Sequence, residues 1–190
     1  MKKEFSTAEI YAVKISLKGV KPMVWRRVQV RADCTLRELH YVIQIAMGWG
    51  HAHLHEFTID GESYGEPNAM EGGFGDETQD ESKVRLNRVA GPGSKFEYCY
   101  DFGDDWRHTI KIEKVTLVLK GAKTPFCLTG VGACPPEDCG GVWGYAELLE
   151  TLAGADSAEK SEMLEWLGGD IDPAWFDLEE VNVRLGPLQK

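Results

Sequence analysis

The sequence predicts an α+β domain built on one mixed or antiparallel sheet, with the element order β-β-α-β-β-β-β and a helical segment after the sheet. Three observations support this prediction. Apolar residues alternate with polar ones in the first 30 residues, a capped helical repeat follows, and helical spacing replaces alternation after residue 142. The chain has 190 residues, of which 43% are hydrophobic, so we expect a single domain with one core over 1–190.

The first elements are a β-hairpin and a helix. Residues 10–17 and 24–30 place Val, Ile or Leu at alternate positions on either side of the turn-forming K-G-V-K-P, which is typical of two paired strands. The following Thr35-Leu36-Arg37-Glu38 is a capping box, which predicts a helix start. Apolar residues at helical spacing continue to Gly48, a residue type that often ends a helix.

Later segments extend the sheet. We expect further strands near residues 53–59, 84–89, 95–102 and 108–119. Residues 61–82 are acidic and rich in glycine, and they predict a mobile loop. The domain then divides into a sheet core over about 10–120, a Cys/Pro/Gly-rich loop over 121–142 and a helical segment over 143–185.

The helical segment has its own start and stop signals. Its first helix has Tyr145, Leu148, Leu149 and Leu152 at helical spacing. A second helix is predicted to begin near Ser157 and to end at Gly168-Gly169, and Asp177 is a suitable cap for a short final helix.

The charge is unevenly distributed, although the whole chain carries −10. Residues 1–31 carry a net +6, residues 32–132 carry −6 and residues 133–190 carry −10. Because nucleic-acid binding depends on a basic surface, the acidic whole argues against DNA or RNA as the main partner. The basic hairpin over 14–31 leaves a DNA-associated protein of mobile elements as an alternative. We also expect the acidic C-terminal helices to pack near the basic strands.

The sequence predicts a cytoplasmic protein without a membrane partner. No apolar run approaches the roughly 20 residues that span a bilayer, and the basic start has no apolar stretch behind it. The five cysteines are an odd number in a chain without an export signal, which argues against a disulfide framework.

The most informative segment is Y-C-Y-D-F-G-D-D-W-R-H, over 98–108. Burying its carboxylates without partners would cost several kcal/mol each, so they require solvent, donors, a cation or a ligand. The D-F-G triplet alone is weak evidence for a kinase, because the phosphate loop and the catalytic-loop motif are missing. We predict an aromatic–acidic cleft formed by this segment, the 51–57 strand and the 134–141 loop. Its candidate ligand-binding residues are His53, His55, Asp101, Asp104, Asp105, Trp106, His108, Glu137 and Asp138.

Two groups of residues are candidate metal ligands. Side chains two apart on a strand share a face, so His51, His53 and His55 would converge on one ion; the alternative is that they are hydrogen-bonded histidines at the rim of the core. The cysteines Cys127, Cys134 and Cys139, with a fourth ligand from His108 or His55, would hold zinc; the alternative is reduced thiols packed under the loop. We predict no cofactor, with zinc as the alternative.

The sequence contains no recognisable arrangement for nucleophilic catalysis. No serine lies in a nucleophile-elbow context and no glycine-rich phosphate loop precedes a helix. The paired carboxylates Asp104 and Asp105, or Glu137 and Asp138, have the groups for acid–base chemistry if their environments separate their pKa values. The alternative is that these acids face water, so an enzymatic activity stays open.

Several segments together resemble one family, and they extend from about residue 10 to 185. They are P-M-V-W-R-R at 22–27, L-R-E-L-H-Y-V-I-Q-I-A-M-G-W at 36–49, H-L-H-E-F-T-I-D-G-E-S-Y-G at 53–65, Y-D-F-G-D-D-W-R-H at 100–108, P-P-E-D-C-G-G at 135–141, G-Y at 144–145 and D-P-A-W-F-D at 172–177. They resemble the family named after the third open reading frame of a root-inducing plasmid, sometimes labelled as transposon passenger or resolvase-like proteins. The resemblance implies an α+β fold. The matched motifs contain His53, His55, Asp101, Asp104, Trp106, His108, Glu137, Asp138 and Cys139.

The resemblance does not supply a reaction, and the resolvase label conflicts with the residues. Serine recombination requires a nucleophilic serine among arginines and a basic DNA-binding segment, and this acidic chain has neither. The leading hypothesis is therefore a binding or interaction module whose ligand is a peptide segment or a small molecule. The alternatives are a zinc-stabilised or metal-dependent protein and the DNA-associated protein.

Overall fold

A computed structural model describes residues 5–66, 78–119, 121 and 123–189. The described elements are β1 (Phe5–Leu17), β2 (Trp25–Arg31), α1 (Leu36–Met47), β3 (His55–Ile59), β4 (Glu62–Gly65), β5 (Gln79–Asp80), α2 (Leu86–Val89), β6 (Lys95–Tyr100), β7 (Trp106–Leu119), β8 (Phe126–Val131), α3 (Gly141–Ala153), α4 (Ala158–Leu167) and α5 (Leu178–Leu185). Their arrangement is an α+β fold, which confirms the predicted fold class.

The described strands form one eight-stranded sheet in the order β5-β4-β3-β6-β7-β1-β2-β8. The β4–β5 pair is parallel and the other pairs are antiparallel, so the sheet is mixed. The predicted hairpin is confirmed, because β1 pairs with β2 in register from Ile10 with Arg31 to Ser16 with Trp25. The long β1–β7 ladder lies in the middle and joins the two halves of the sheet.

Helix α1 forms as its sequence predicts. The capping box is complete, because Glu38 N–H donates to Thr35 Oγ1 (3.1 Å) and Thr35 N–H donates to Glu38 Oε2 (2.9 Å). The helix ends at Gly48, whose φ of 111° is accessible to glycine at little cost. Its buried face is mostly aliphatic but also includes two polar residues, His40 and Gln44. These two residues position one of the clusters described below.

Two segments differ from the sequence prediction. Residues 84–89 were predicted as a strand, but the structure has the short helix α2 there, in which Leu86 is the buried residue. The predicted 121–142 loop contains β8, which pairs with β2 at the edge of the sheet. Its Phe126 and Leu128 are exposed, so apolar and polar residues do not alternate clearly along the strand. The Pro and Gly residues on either side of it therefore predicted a loop.

The predicted acidic loop falls partly outside the described residues. Within 61–82, the structure forms β4 and β5, which extend the sheet beyond β3. The remainder of that prediction, over 67–77, lies outside the described residues.

The predicted C-terminal helices are confirmed, including two of their caps. Ser157 Oγ accepts from Lys160 N–H (3.1 Å), and Asp177 Oδ1 accepts from the first amides of α5 (2.9 Å). Helix α5 packs on β8 and α1, and its Asn182 side chain bonds both the N–H (2.8 Å) and the C=O (2.9 Å) of Cys127. Within the described ranges, no helix has the length and apolarity needed to traverse a bilayer.

Candidate functional site

Folding joins the three segments in which the sequence places its candidate residues. Asp101 N–H donates to Leu54 O (2.8 Å), which ties the β6–β7 turn to the segment before β3. Glu137 ties the third segment to both, because its carboxylate accepts from Gly50 N–H (3.2 Å) and from the Tyr100 hydroxyl. These bonds hold the three segments together at one end of the β3–β6 ladder.

One group of ligand-type atoms, which we name the carboxylate cluster, lies at this junction and consists of His53, Asp101 and Asp138. The His53 Nε2 atom is 3.1 Å from Asp138 Oδ1 and 3.7 Å from Asp101 Oδ2. One ligand atom from each residue lies within 4.8 Å of the other two. His53 Nε2 is buried and makes no aligned hydrogen bond, despite its approach to Asp138. A buried polar atom without a hydrogen bond requires an explanation, and a cation between these three side chains supplies one.

The β6–β7 turn orients Asp101 toward this cluster. Asp101 Oδ1 accepts from the backbone N–H groups of Gly103 (2.9 Å) and Asp104 (3.3 Å), which leaves Oδ2 directed at His53. Asp101 has a φ of 56°, a left-handed conformation that costs about 1 kcal/mol in a residue other than glycine. The turn therefore binds one oxygen of the Asp101 carboxylate and leaves the other directed at His53, at some cost in backbone strain. Backbone strain of this kind is common at functional sites.

The 134–141 loop places Asp138 on the other side of His53. Trp49 Nε1–H donates to Pro135 O (3.0 Å) and anchors the start of the loop. At its end, Gly141 has a φ of 67°, and a Cβ there would lie 2.4 Å from Asp104 O. Only glycine permits this close approach to the β6–β7 turn. Asp138 itself has a φ of 59° and an exposed side chain, so the cluster opens to solvent on its side.

A second group of ligand-type atoms, which we name the imidazole cluster, consists of His40, His51 and His55. His40 Nε2 is 2.5 Å from His51 Nδ1. The rings of His40 and His55 stack with their centroids 3.5 Å apart and an interplanar angle of 11°. On the outer side of the stack, His55 Nε2 is 2.7 Å from Glu81 Oε2, and His40 Nδ1 is 2.7 Å from Tyr98 Oη. Apart from the half-buried His51, these groups are buried.

Further hydrogen bonds fix the positions of these rings. Gln44 Oε1 accepts from His51 N–H (3.0 Å) and Gln44 Nε2 donates to Tyr98 Oη (3.0 Å), so one side chain of α1 holds both groups. Arg37 Nε lies 3.4 Å from Glu81 Oε1, the carboxylate oxygen that His55 does not contact. The cluster is thus part of a hydrogen-bonded polar network that is mostly buried and reaches solvent at His51 and Arg37.

Burial controls the protonation of this cluster. Burial, with a smaller contribution in the same direction from the neighbouring histidines, lowers the pKa of His40 to about 2. Burial also lowers the pKa of His51. Since desolvation disfavours the imidazolium form, both rings are neutral at pH 7 and have a lone pair on one nitrogen.

The three histidines of the H-A-H-L-H run do not share one face. His51 has a φ of 59°, and β3 begins only at His55, so the intervening residues are not extended. The period-two rule applies to extended backbone and therefore fails here. The structure places His51 and His55 in the imidazole cluster and His53 in the carboxylate cluster.

Other predicted cleft residues lie elsewhere. Asp105 pairs with Arg107 (2.9 Å), and that hydrogen bond lowers the pKa of Asp105. Trp106 and His108 are fully buried in the core, where burial lowers the pKa of His108 to about 4. Asp104 Oδ2 is buried without a hydrogen-bond partner. Of the nine predicted residues, His53, Asp101, Glu137 and Asp138 lie at the junction, and His55 belongs to the imidazole cluster.

The cysteines belong to neither group of ligand atoms found in the described residues. Burial raises the pKa of Cys139 to about 12, and it raises the pKa of Cys127 and of Cys134 as well. All three cysteines are free thiols, and Cys127 is fully buried.

Several residues of the imidazole cluster network were missed from the sequence, among them His40 and Glu81. A signal for His40 was present, because His40 and Gln44 fall on the apolar face of α1 at a spacing of four. No signal marked Glu81, which lies in an acidic segment and becomes almost completely buried only when that segment packs on β3 and α1.

The arginines of the basic hairpin bond to other groups of the protein. Arg26 is buried and donates to backbone carbonyls, including Ala46 O (2.7 Å). Arg27 pairs with Glu113 (2.6 Å) and Arg31 pairs with Asp33 (2.9 Å). Cations already paired or buried contribute less to phosphate binding, so this geometry does not favour the DNA-associated alternative.

The chain has similar proteins over nearly its whole length. A family model described as plasmid pRiA4b ORF-3-like protein matches residues 9–180. The uncharacterized protein y4hQ of Sinorhizobium fredii (strain NBRC 101917 / NGR234) is 42% identical over 184 residues, which cover 95% of this chain and 93% of that protein. The crystal structure of the protein of unknown function MM3350 from Methanosarcina mazei Go1 matches with a TM-score of 0.82 and 36% identity, over 92% of this chain and 98% of that chain. Neither relative's name states an activity.

Proposed function

Because the chain belongs to the plasmid pRiA4b ORF-3-like family, as its motifs predicted, and the relatives' names state no activity, we propose a function from its own residues. The protein binds one divalent transition-metal ion at the carboxylate cluster, through His53, Asp101 and Asp138. This proposal rests on one observation above all. His53 Nε2 is buried, lacks an aligned hydrogen bond and faces two carboxylates.

The spacing of the three side chains supports this proposal. Metal–ligand bonds of about 2.1 Å put two ligands of one tetrahedral ion roughly 3.4 Å apart. The distances from His53 Nε2 to Asp138 (3.1 Å) and to Asp101 (3.7 Å) lie on either side of that value. Small side-chain rotations are therefore sufficient to close the site around an ion.

The ligand types indicate the metal and its chemistry. One imidazole and two carboxylates suit Zn²⁺ or Mn²⁺, whereas a soft metal would require thiolates. Three protein ligands leave a position for water, which is typical of catalytic rather than structural sites. An ion held this way lowers the pKa of its bound water, so a metal-activated hydroxide is the chemistry that such a site supports. Glu137 lies at the same junction, where its two oxygens accept from Gly50 N–H and from the Tyr100 hydroxyl.

Metal titration of the chelator-treated protein tests this proposal. We expect the Asp101→Asn variant to lose most of its affinity for Zn²⁺ and Mn²⁺ in isothermal titration calorimetry, because the amide cannot replace the carboxylate charge. Asp105→Asn is the matched control, since Asp105 lies in the same turn but pairs with Arg107. Equal Mn²⁺ affinity in the wild type and Asp101→Asn, with both proteins folded, would contradict the proposal.

A second candidate function is recognition of a basic peptide segment, the role closest to the predicted aromatic–acidic cleft. A cavity of about 300 Å³ supports it, because Trp49, Glu137, Trp175 and Glu180 contribute to its lining. Trp175 is 55% exposed, and an exposed indole in a cavity that Glu137 and Glu180 also line suits a Lys or Arg side chain.

Fluorescence titration with a lysine-rich hexapeptide tests the peptide role. We expect a saturable change at low salt in the wild type that is lost in Trp175→Phe and kept in Trp166→Phe, a control at another exposed indole. The same response in both variants would exclude this cavity as the binding site.

A further inference from the structure

The face of the sheet that points away from the core carries a row of positive charges. Along the central strands, alternate residues such as Val13, Ile15 and Ile110 are fully buried, so the residues between them point outward. The strand register aligns four of these outward residues directly across β2, β1, β7 and β6, and we name them the cation row: Arg27, Lys14, Lys111 and Lys95.

Packing does not require this row, and its charges oppose one another. Like charges directly opposite on neighbouring strands are destabilising, because their Cβ atoms lie only about 5 Å apart. Among the described residues, Glu113 pairs with Arg27 through both carboxylate oxygens (2.6 and 3.3 Å), whereas the three lysines form no salt bridge. That hydrogen bond lowers the pKa of Glu113, and the charges of Lys111 and Lys14 contribute in the same direction. Four cations and one carboxylate leave the row with a net charge of +3, on a chain whose total is −10.

Hydroxyl groups lie beside the row on the same face of the sheet. Ser16 is two residues beyond Lys14 on β1, and it lies opposite Thr109 of β7. At the β8 end of the row, Thr129 lies opposite Arg27. Lysine, arginine and hydroxyl groups are the usual donors to phosphate oxygens in proteins. The row and its neighbours therefore form a donor set for a phosphate-rich anion.

The surroundings of the row favour a short anion over a nucleic-acid strand. Binding of single strands relies on open aromatic faces for base stacking, but Lys14 Nζ and Arg27 Cζ lie over the Trp25 ring, 4.8 and 5.3 Å from its centroid. A long polyanion would also extend past the row toward Glu97, which lies opposite Thr109 on β6. Four strands at a spacing of about 4.8 Å give the row a length of about 14 Å, which suits a chain of a few phosphates.

We propose that the cation row binds a short oligophosphate, the chemistry shared by inorganic tripolyphosphate and the triphosphate chain of nucleotides. Lys14 and Lys111 contact the phosphates at the centre of the row, and Lys95 lies at one end. Arg27 lies at the other end, where its Nη1 is available to donate because Nε and Nη2 bond Glu113. This inference does not rest on the metal site proposed above, because it uses different residues and requires no metal.

Isothermal titration calorimetry with sodium tripolyphosphate at low ionic strength tests this inference. The protein is kept in chelator, so that no metal at the carboxylate cluster contributes to phosphate binding. We expect saturable binding that weakens as salt is added. Lys14→Gln and Lys111→Gln are each expected to weaken it about tenfold, because each removes a charge-assisted hydrogen bond. Lys83→Gln is the control with the same change in net charge, since Lys83 pairs with Asp80 outside the row.

Two further measurements separate binding from a general loss of structure. Glu113→Gln is expected to strengthen binding about three- to fivefold, because it removes a negative charge roughly 5 Å from the ligand. Structural damage would instead weaken binding. Lys111→Gln is expected to unfold at an unchanged or higher urea concentration, since it relieves repulsion from Lys14 and Lys95.

Each outcome of the titrations decides the inference. Unchanged affinity in the Lys14→Gln/Lys111→Gln double variant, or no saturable heat at millimolar tripolyphosphate, overturns it and leaves the proposed metal site standing. Equal affinity for orthophosphate and tripolyphosphate also overturns it, because a site for one phosphate does not need the row. Tighter binding of an oligothymidylate than of tripolyphosphate overturns it in favour of single-stranded nucleic acid. Tighter binding of ATP, lost in the double variant, supports it and identifies a nucleotide as the source of the phosphates.

Discussion

The two clusters take residues from the same short segment, 51–55, but they differ in how their buried polar groups are satisfied. In the imidazole cluster, two of the rings stack inside the core and most of the ring nitrogens have partners. In the carboxylate cluster, two carboxyl groups meet an imidazole at the rim, and the buried imidazole nitrogen has no aligned hydrogen bond. The comparison teaches that hydrogen bonds stabilise the first cluster, whereas loop geometry holds the second in place.

The supporting elements differ accordingly. The imidazole cluster depends on α1, a capped helix that also supplies Gln44. The carboxylate cluster depends on a turn and a loop in which Asp101 and Asp138 both have positive φ. A loop that stores strain and exposes carboxylates is suited to capture an ion from solvent, whereas a buried network with satisfied hydrogen bonds makes its part of the core rigid.

The largest expected effect comes from acidification. Because the pKa of His40 falls to about 2 and that of His108 to about 4 in the folded protein, the unfolded chain binds more protons below pH 6.5. Stability is therefore full above that pH and is lost as the pH falls toward the folded values. We expect a loss of roughly 4 kcal/mol between pH 7 and pH 5, divided about equally between the two residues.

Urea unfolding in chelator at several pH values measures this loss. His40→Gln is expected to remove about half of the pH dependence, because one of the two buried neutral rings is gone. An identical slope in the variant and the wild type would mean that the imidazole cluster is not buried in its neutral form.

The next effect is steric and acts on the carboxylate cluster. A Cβ at position 144 would lie 1.9 Å from Cys139 O, so Gly144→Ala must displace the loop that carries Asp138. We expect a loss of about 3 kcal/mol in urea unfolding, the upper range for overpacking, together with weaker Mn²⁺ binding.

Gly91→Ala is the control for this steric effect, because a Cβ at position 91 would meet no atom within 4 Å. Equal unfolding midpoints for the two variants would contradict the close loop packing. A shift of the histidine NMR signals of the imidazole cluster in Gly144→Ala would show that the two clusters are coupled.

The smallest effect tests the support from α1. Thr35→Ala removes a side-chain cap and is expected to cost about 1 kcal/mol, as is Ser157→Ala in α4. Only the first variant loosens the helix that carries His40, so only it is expected to shift the histidine signals of the imidazole cluster in NMR spectra. Equal shifts in both variants would refute a local role for α1.

Local patterns predicted much of this fold because their causes are local. The Thr35 capping box, the alternation before Arg31 and the Asp177 cap each depend on neighbours within a few residues. The exposed edge strand β8 lacked such a pattern. The candidate site was predicted only in outline, because the His51–His55 run leaves the extended conformation and divides between two clusters.

The sequence by itself determined the fold class, the main helices and the segments in which chemistry is concentrated, since propensity, periodicity and unpaired charge are properties of neighbouring residues. The tertiary structure alone decided the partners: Glu81 for His55, Asp138 for His53 and Tyr98 for His40. Such pairs join residues far apart in the chain. Their distances depend on sheet register and loop closure, which the whole core sets together.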